Sequence, residues 1–172
     1  MTLKLFQIDS FTNEIFKGNP AAVCPLDNWL SNDLMQKIAA ENNLSETAFF
    51  IKDKDNFAIR WFTPNQEVNL CGHATLAAAY VIFFELNYQS SSITFNSKSG
   101  KLAVTKNSDN SLTLDFPLML AKKCDIDEIA IKALKAEPKE AYFAGEDYIF
   151  IYEKEETIKN INPDFNLLKE LN

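Results

Sequence analysis

His73 and Arg60 are the only histidine and the only arginine in this chain of 172 residues. A serine–histidine–aspartate triad or a histidine-based zinc site must pass through His73 or not exist. His73 lies in Leu70-Cys71-Gly72-His73-Ala74-Thr75, where a strand-like approach gives way to a long apolar stretch. Unpaired N–H groups at a helix start, with the dipole behind them, form an anion site. Gly72 would let a ligand come close to the backbone, and His73 can hydrogen-bond or relay a proton. Cys71 at such a position would be acidified and so serve as a nucleophile or base. Structural roles compete at each residue: a turn at Gly72, a capped structural His73, a small core hydrophobe at Cys71. A nucleophilic Cys71–His73 pair ranks last, because residues two apart at a helix start point in different directions.

Glu46 is the second candidate. Asn42-Asn43-Leu44-Ser45-Glu46-Thr47 joins the end of a helix to the apolar run Ala48-Phe49-Phe50. Desolvation there would disfavour the charged carboxylate and suit a group that must both give and take a proton. The competing reading is a solvated Glu in a loop. Arg60 and Glu67 are expected to pair across neighbouring segments in a structural role. No GxGxxG or Walker pattern occurs, and four glycines could hardly supply one.

These residues need a scaffold, and the pattern for one is visible. Residues 3–11 alternate like a half-buried strand, Gly18-Asn19-Pro20 marks a turn, and AAVCPL follows as a strand. Ser31 is placed to cap a helix running to about residue 43. TAFFIK and FAIRWF read as strands flanking the turn DKDN. The segment from Gly72 to Leu86 is Ala-rich and apolar all round, as expected of one helix buried on every side. SITFNS, KLAVTK and SLTLDF form a β-meander. The first domain is therefore assigned to residues 1–117, and residues 118–172 to a linker and an incomplete second domain. That stretch is read as one strand between two short helices, a poor independent core.

Composition narrows the function classes. Hydrophobic residues make up 47% and aromatics 12% of the chain, enough for a packed core. The longest apolar run, residues 76–84, is far short of the roughly 20 residues that span a bilayer. The N-terminus shows no apolar stretch of a secretory signal. Net charge is −7 with no basic block, which argues against nucleic acid as a partner. Cys24, Cys71 and Cys124 are odd in number and widely spaced, so no disulfide framework is read, and a reducing cytoplasm is expected.

The segments FQIDSFT (6–12), FKGNPAAV (16–23), NLSETAF (43–49), RWFTP (60–64) and EVNLCGHATLA (67–77) together resemble the PhzF-type phenazine-biosynthesis-like isomerase family. The resemblance covers residues 1–117 and, more loosely, 118–172. It implies an α+β fold of the diaminopimelate-epimerase-like class, with a barrel wrapped round a central helix beginning at Gly72. Such proteins hold their active site in the cleft between two such domains. By the same resemblance Glu46 is the catalytic acid/base. Gly72 and His73 bind and help protonate the substrate, and Ser45, Asn19 and Cys71 line the site. Related epimerases place a catalytic cysteine at the corresponding position, a chemistry that Glu46 replaces here. The implied reaction is a cofactor-free, metal-free proton shift on a small acidic substrate, as in isomerising a dihydro-hydroxyanthranilate.

Two departures accompany the resemblance. Asn69 stands where members commonly carry Asp, and no D-P-x-T-G-S-A-type loop of the second domain is present. The chain is thus expected to hold half of the family's site and to work as a homodimer or with a separately encoded second half. The alternative expectation is an inactive truncated remnant or a binding module.

Overall fold

The computed structural model describes residues 2–14, 16–145 and 147–171. The chain divides into two compact units, Met1–Pro117 and Leu118–Asn172.

In the first unit, β1 (Phe6–Ser10) runs antiparallel to β2 (Asn19–Leu26), with Ser10 opposite Asn19. Gly18 precedes β2 with φ +80°, and a Cβ there would lie 2.3 Å from the Ser10 carbonyl oxygen. No residue but glycine fits that turn. Helix α1 (Asn32–Asn42) starts at Ser31, whose Oγ accepts from Leu34 N–H at 3.3 Å. It ends at Asn43, a left-handed residue whose N–H returns to the Ala39 carbonyl.

Strand β3 (Glu46–Asp53) lies parallel to β2, Glu46 opposite Ala21, and antiparallel to β4 (Asn56–Phe62). Its side chains alternate between two faces. Phe49 packs with Met35 and Ala39 of α1, whereas Ala48 and Phe50 enter the central core. Glu46 has the same parity as Ala48 and Phe50, so it faces inward. Strand β5 (Glu67–Val68) pairs with the end of β4 and leads to the buried helix α2 (Gly72–Tyr80). A single helix to Leu86 was the expectation. Instead α2 widens into a π-helical turn at Val81–Glu85, which keeps Val81, Ile82 and Phe83 all buried.

β6 (Ser92–Ser97) pairs parallel to β4 and begins the meander with β7 (Gly100–Lys106) and β8 (Leu112–Asp115). The sheet order is β1-β2-β3-β4-β6-β7-β8, with β5 attached to β4. This mixed sheet curls round α2, and Trp61, Phe95, Ile59, Leu102 and Val104 close on the helix from several strands. Each such side chain contributes about 1.5–3 kcal/mol by leaving water.

The second unit holds β9 (Lys122–Cys124), α3 (Glu128–Leu134), β10 (Glu140–Ala144), β11 (Asp147–Ile151), α4 (Glu155–Lys159) and α5 (Phe165–Leu168). It has three antiparallel strands, in the order β11-β10-β9, where the sequence pattern shows one. β9 carries no apolar periodicity, and the five-residue β10, with only Tyr142 and Phe143 as β-formers, is paired on both edges. The buried apolar side chains of this unit are small, Ala130, Ala133, Pro138, Ala141 and Ala144, while Phe143, Ile149 and Ile151 stay partly exposed. Among the described residues no helix is long and apolar enough to cross a membrane.

Candidate functional site

Three elements of the first unit bring the chemistry together. β3 delivers Glu46 at its first residue, and the Asn42 side chain holds that end by donating to Thr47 Oγ1 at 3.1 Å. The Cys71 backbone is extended (φ −151°, ψ 117°), and it caps α2 through its carbonyl, which accepts from Thr75 N–H and Oγ1. His73 sits in the first turn of α2, and its carbonyl accepts from the buried Ser10 hydroxyl at 2.7 Å. Ser10 has the inward parity of Phe6 and Ile8 in β1, so the signal for it was present in the alternation.

Glu46 Oε2 lies 3.3 Å from His73 Nε2, and Cys71 Sγ lies 3.5 Å from His73 Nδ1. The Glu46 side chain is 19% exposed and that of His73 9%, so Glu46 is not a solvated loop carboxylate. Despite the 3.3 Å approach, Nε2 makes no well-directed hydrogen bond among the described residues. Burial holds the His73 imidazole below its usual value, against the opposing pull of Glu46 and the Pro20 carbonyl. His73 is therefore neutral at neutral pH.

Two expectations about Cys71 are corrected here. The thiol is not acidified: burial pushes it up to about 12, and the Glu46 charge adds to this, although the Ala74 N–H pulls the other way. Desolvation outweighs the helix start. Nor do Cys71 and His73 point apart. The rule about residues two apart applies to helical backbone, and Cys71 is extended, so its side chain turns back over the ring.

The ligand atoms of Glu46, Cys71 and His73 all lie within 4.8 Å of one another, which is close enough to consider a metal. Glu46 also hydrogen-bonds Cys71, so the three groups form a closed cluster in which the two ring nitrogens face different partners. A chelate needs its donors to converge on one point.

Of the remaining expected residues, Gly72 contributes backbone, and a Cβ there would lie 3.4 Å from the Phe116 ring. Asn19 opens β2 two residues before the partner of Glu46, and Ser45 is exposed just before β3. Arg60 is outside the site. It grips Glu67 through two 2.8 Å bonds, and Lys98 adds a third contact at 2.7 Å. The Arg60 bonds, aided by Lys98, hold the Glu67 carboxyl at about 2. Ser10, Pro20 and Phe116 border the site without having been singled out from the sequence. A cavity of about 760 Å³ opens at the other end of β3, lined by Phe50, Lys52, Phe57 and Tyr88. Concave volume therefore does not mark the reactive groups.

A profile of the phenazine biosynthesis-like protein family matches residues 8–172. An uncharacterized isomerase of Pseudomonas aeruginosa is 44% identical over 171 residues, covering 99% of this chain and 65% of the relative. The crystal structure of a phenazine biosynthesis protein of the PhzF family from Enterococcus faecalis is 46% identical, with TM-score 0.91, and the match covers 100% of this chain and 65% of that one. A hydroxyproline epimerase from Agrobacterium vitis is 12% identical with TM-score 0.52, over 83% of this chain and 48% of that one, a likeness of fold alone. The α+β sheet curled round α2 is thus an epimerase-like fold. The chain spans 65% of the length of the first two of these proteins.

Proposed function

The chain belongs to the phenazine biosynthesis-like protein family, and on that premise we propose that it acts as a cofactor-independent isomerase of the PhzF type. The observation that carries this reading is the 3.3 Å approach of Glu46 Oε2 to His73 Nε2 beside the start of α2. A carboxylate and a neutral imidazole so placed are an acid/base pair. Glu46 takes a proton from a carbon next to a carbonyl or conjugated double bond of a small carboxylate-bearing substrate. The electron pair enters the conjugated system, and a proton returns at its far end from Glu46 or His73. One C–H bond breaks and one forms, with no change of oxidation state. The free N–H groups at the start of α2 meet the substrate's negative charge. Asn19, Ser45 and Cys71 line the approach. The free thiols of Cys24, Cys71 and Cys124 fit a reducing cytoplasm.

The reaction also needs a wall opposite Glu46 and His73, to exclude water and fix the substrate. We assign that wall to a further body of protein: the part of the relatives that this chain does not span, separately encoded chain, or a second copy. The test is solvent deuterium incorporation into cyclohexadiene carboxylic acids by the 172-residue chain, alone and mixed with the remaining part of a relative. Glu46→Gln is expected to lower the rate by about 10²- to 10⁴-fold. Equal rates for the two proteins would remove Glu46 from the mechanism. Exchange in neither arm would favour the second reading, an inactive binding module.

A further inference from the structure

Three groups face the His73 ring: the Glu46 carboxylate, the Pro20 carbonyl and the Cys71 thiol. A neutral imidazole has one N–H to give and one lone pair to satisfy. An ionised carboxylate and a carbonyl can only accept. Of the three, the thiol alone can supply a hydrogen, and it lies 3.5 Å from Nδ1. The ring hydrogen is then on Nε2, the nitrogen that faces Glu46 Oε2. The opposite tautomer would set the Nε2 lone pair against a carboxylate, and the S–H, which Glu46 can also accept, would lose its nitrogen acceptor.

We infer that Cys71 is a positioning residue: its S–H donates to His73 Nδ1 and holds the imidazole as the Nε2–H tautomer, with that N–H on the side of the ring nearest Glu46. The placement of the thiol follows from the fold. Cys71 is the extended cap of α2, and its carbonyl is tied down by Thr75. The His73 carbonyl is in turn tied to Ser10, so both ends of the contact are fixed. Burial keeps the thiol protonated, which makes it a donor and not an acceptor. Its use in catalysis rests on the acid/base reading above: with the hydrogen on Nε2, His73 can pass it to the substrate while the proton that Glu46 has taken moves on to Nε2, so the ring ends neutral and Glu46 ends ionised.

His73 is the only histidine in the chain, so histidine-specific ¹⁵N labelling reports on one ring. Long-range ¹H–¹⁵N correlation spectra of the free protein near neutral pH distinguish the two nitrogens. The expected result is a pyrrole-type Nε2 and a pyridine-type Nδ1, the latter shifted by an accepted hydrogen bond. Cys71→Ala should raise the share of the Nδ1–H form about fivefold, the worth of one ordinary hydrogen bond. Cys71→Ser, which keeps a donor, should restore the wild-type spectrum. A wild-type ring protonated on Nδ1, an alanine variant with unchanged nitrogen shifts, or a serine variant that resembles alanine would each overturn the inference. The wild-type spectrum decides even if the alanine variant fails to fold. No substrate is involved, so failure of the deuterium-exchange reading leaves this result independent. Where exchange is observed, Cys71→Ala should lower kcat with little effect on KM, and Cys71→Ser should recover it.

Discussion

Glu67→Gln tests the pair that fastens β5 to β4, two strands that lead into Cys71. In the folded protein the Glu67 carboxyl is held at about 2, and the Arg60 bonds are the largest cause. Its ordinary value is 4.5, and a difference of that size corresponds to about 3 kcal/mol of stability at neutral pH. The Glu67 side chain is 16% exposed and that of Arg60 18%, so solvent screening takes only part of this. Lys98 is 53% exposed and is given little share. The sign is that of a depressed carboxyl. The stabilisation is complete above the unfolded value and is lost as pH falls through the folded one. It should shrink to about 2 kcal/mol near pH ~3.5 and vanish below about pH 2. Urea unfolding followed by tryptophan fluorescence reports this directly, because Trp61 is buried in the same core. The quantity to follow is the stability of wild type minus that of Glu67→Gln. A difference that does not change between neutral and acid pH would show that the variant loses packing and not charge linkage. No difference at neutral pH would refute the role of the pair.

Two shorter predictions concern the turn before β2 and the thiols. Gly18→Ala must place a methyl against the Ser10 carbonyl in left-handed backbone, and should cost about 2 kcal/mol or more in thermal melts. Gly100→Ala shares the positive φ but meets nothing within 4 Å, so it should cost less; equal losses would refute the close approach. Iodoacetamide near pH ~8 should label the partly exposed Cys124 at least ~100-fold faster than Cys24 or Cys71. Burial holds those two thiols at about 11 and about 12, and labelling of Cys71 at the rate of Cys124 would count against that.

Much of this molecule can be read from local pattern. Alternation in β1 places Ser10 on the inward face, because successive side chains of a strand alternate by geometry alone; β3 is buried on both faces, so only the packing shows that Glu46 faces inward. Ser31 and Asn43 bound α1 by cap chemistry that needs only neighbouring residues. The unbroken apolarity after Gly72 identifies a buried helix for the same local reason. In the second unit the reading fell short. β9 holds no strand signal of its own and β10 only the short Tyr142-Phe143 pair, so both depend on pairing across the sheet, a contact between residues distant in the chain.

The site divides in the same way. Glu46, Gly72 and His73 are legible as residue types at a strand start and a helix start. The state of Cys71 is not, because the dipole argument is local whereas desolvation depends on everything packed around the thiol. Only the fold decides that Cys71 is extended, that its thiol stays protonated against Nδ1, and that Nε2 meets Glu46 from another strand. The sequence by itself determines which groups exist and which way each element turns them. Tertiary structure alone sets the distances between elements and the water they exclude, and with these the protonation of each group and the chemistry it can perform.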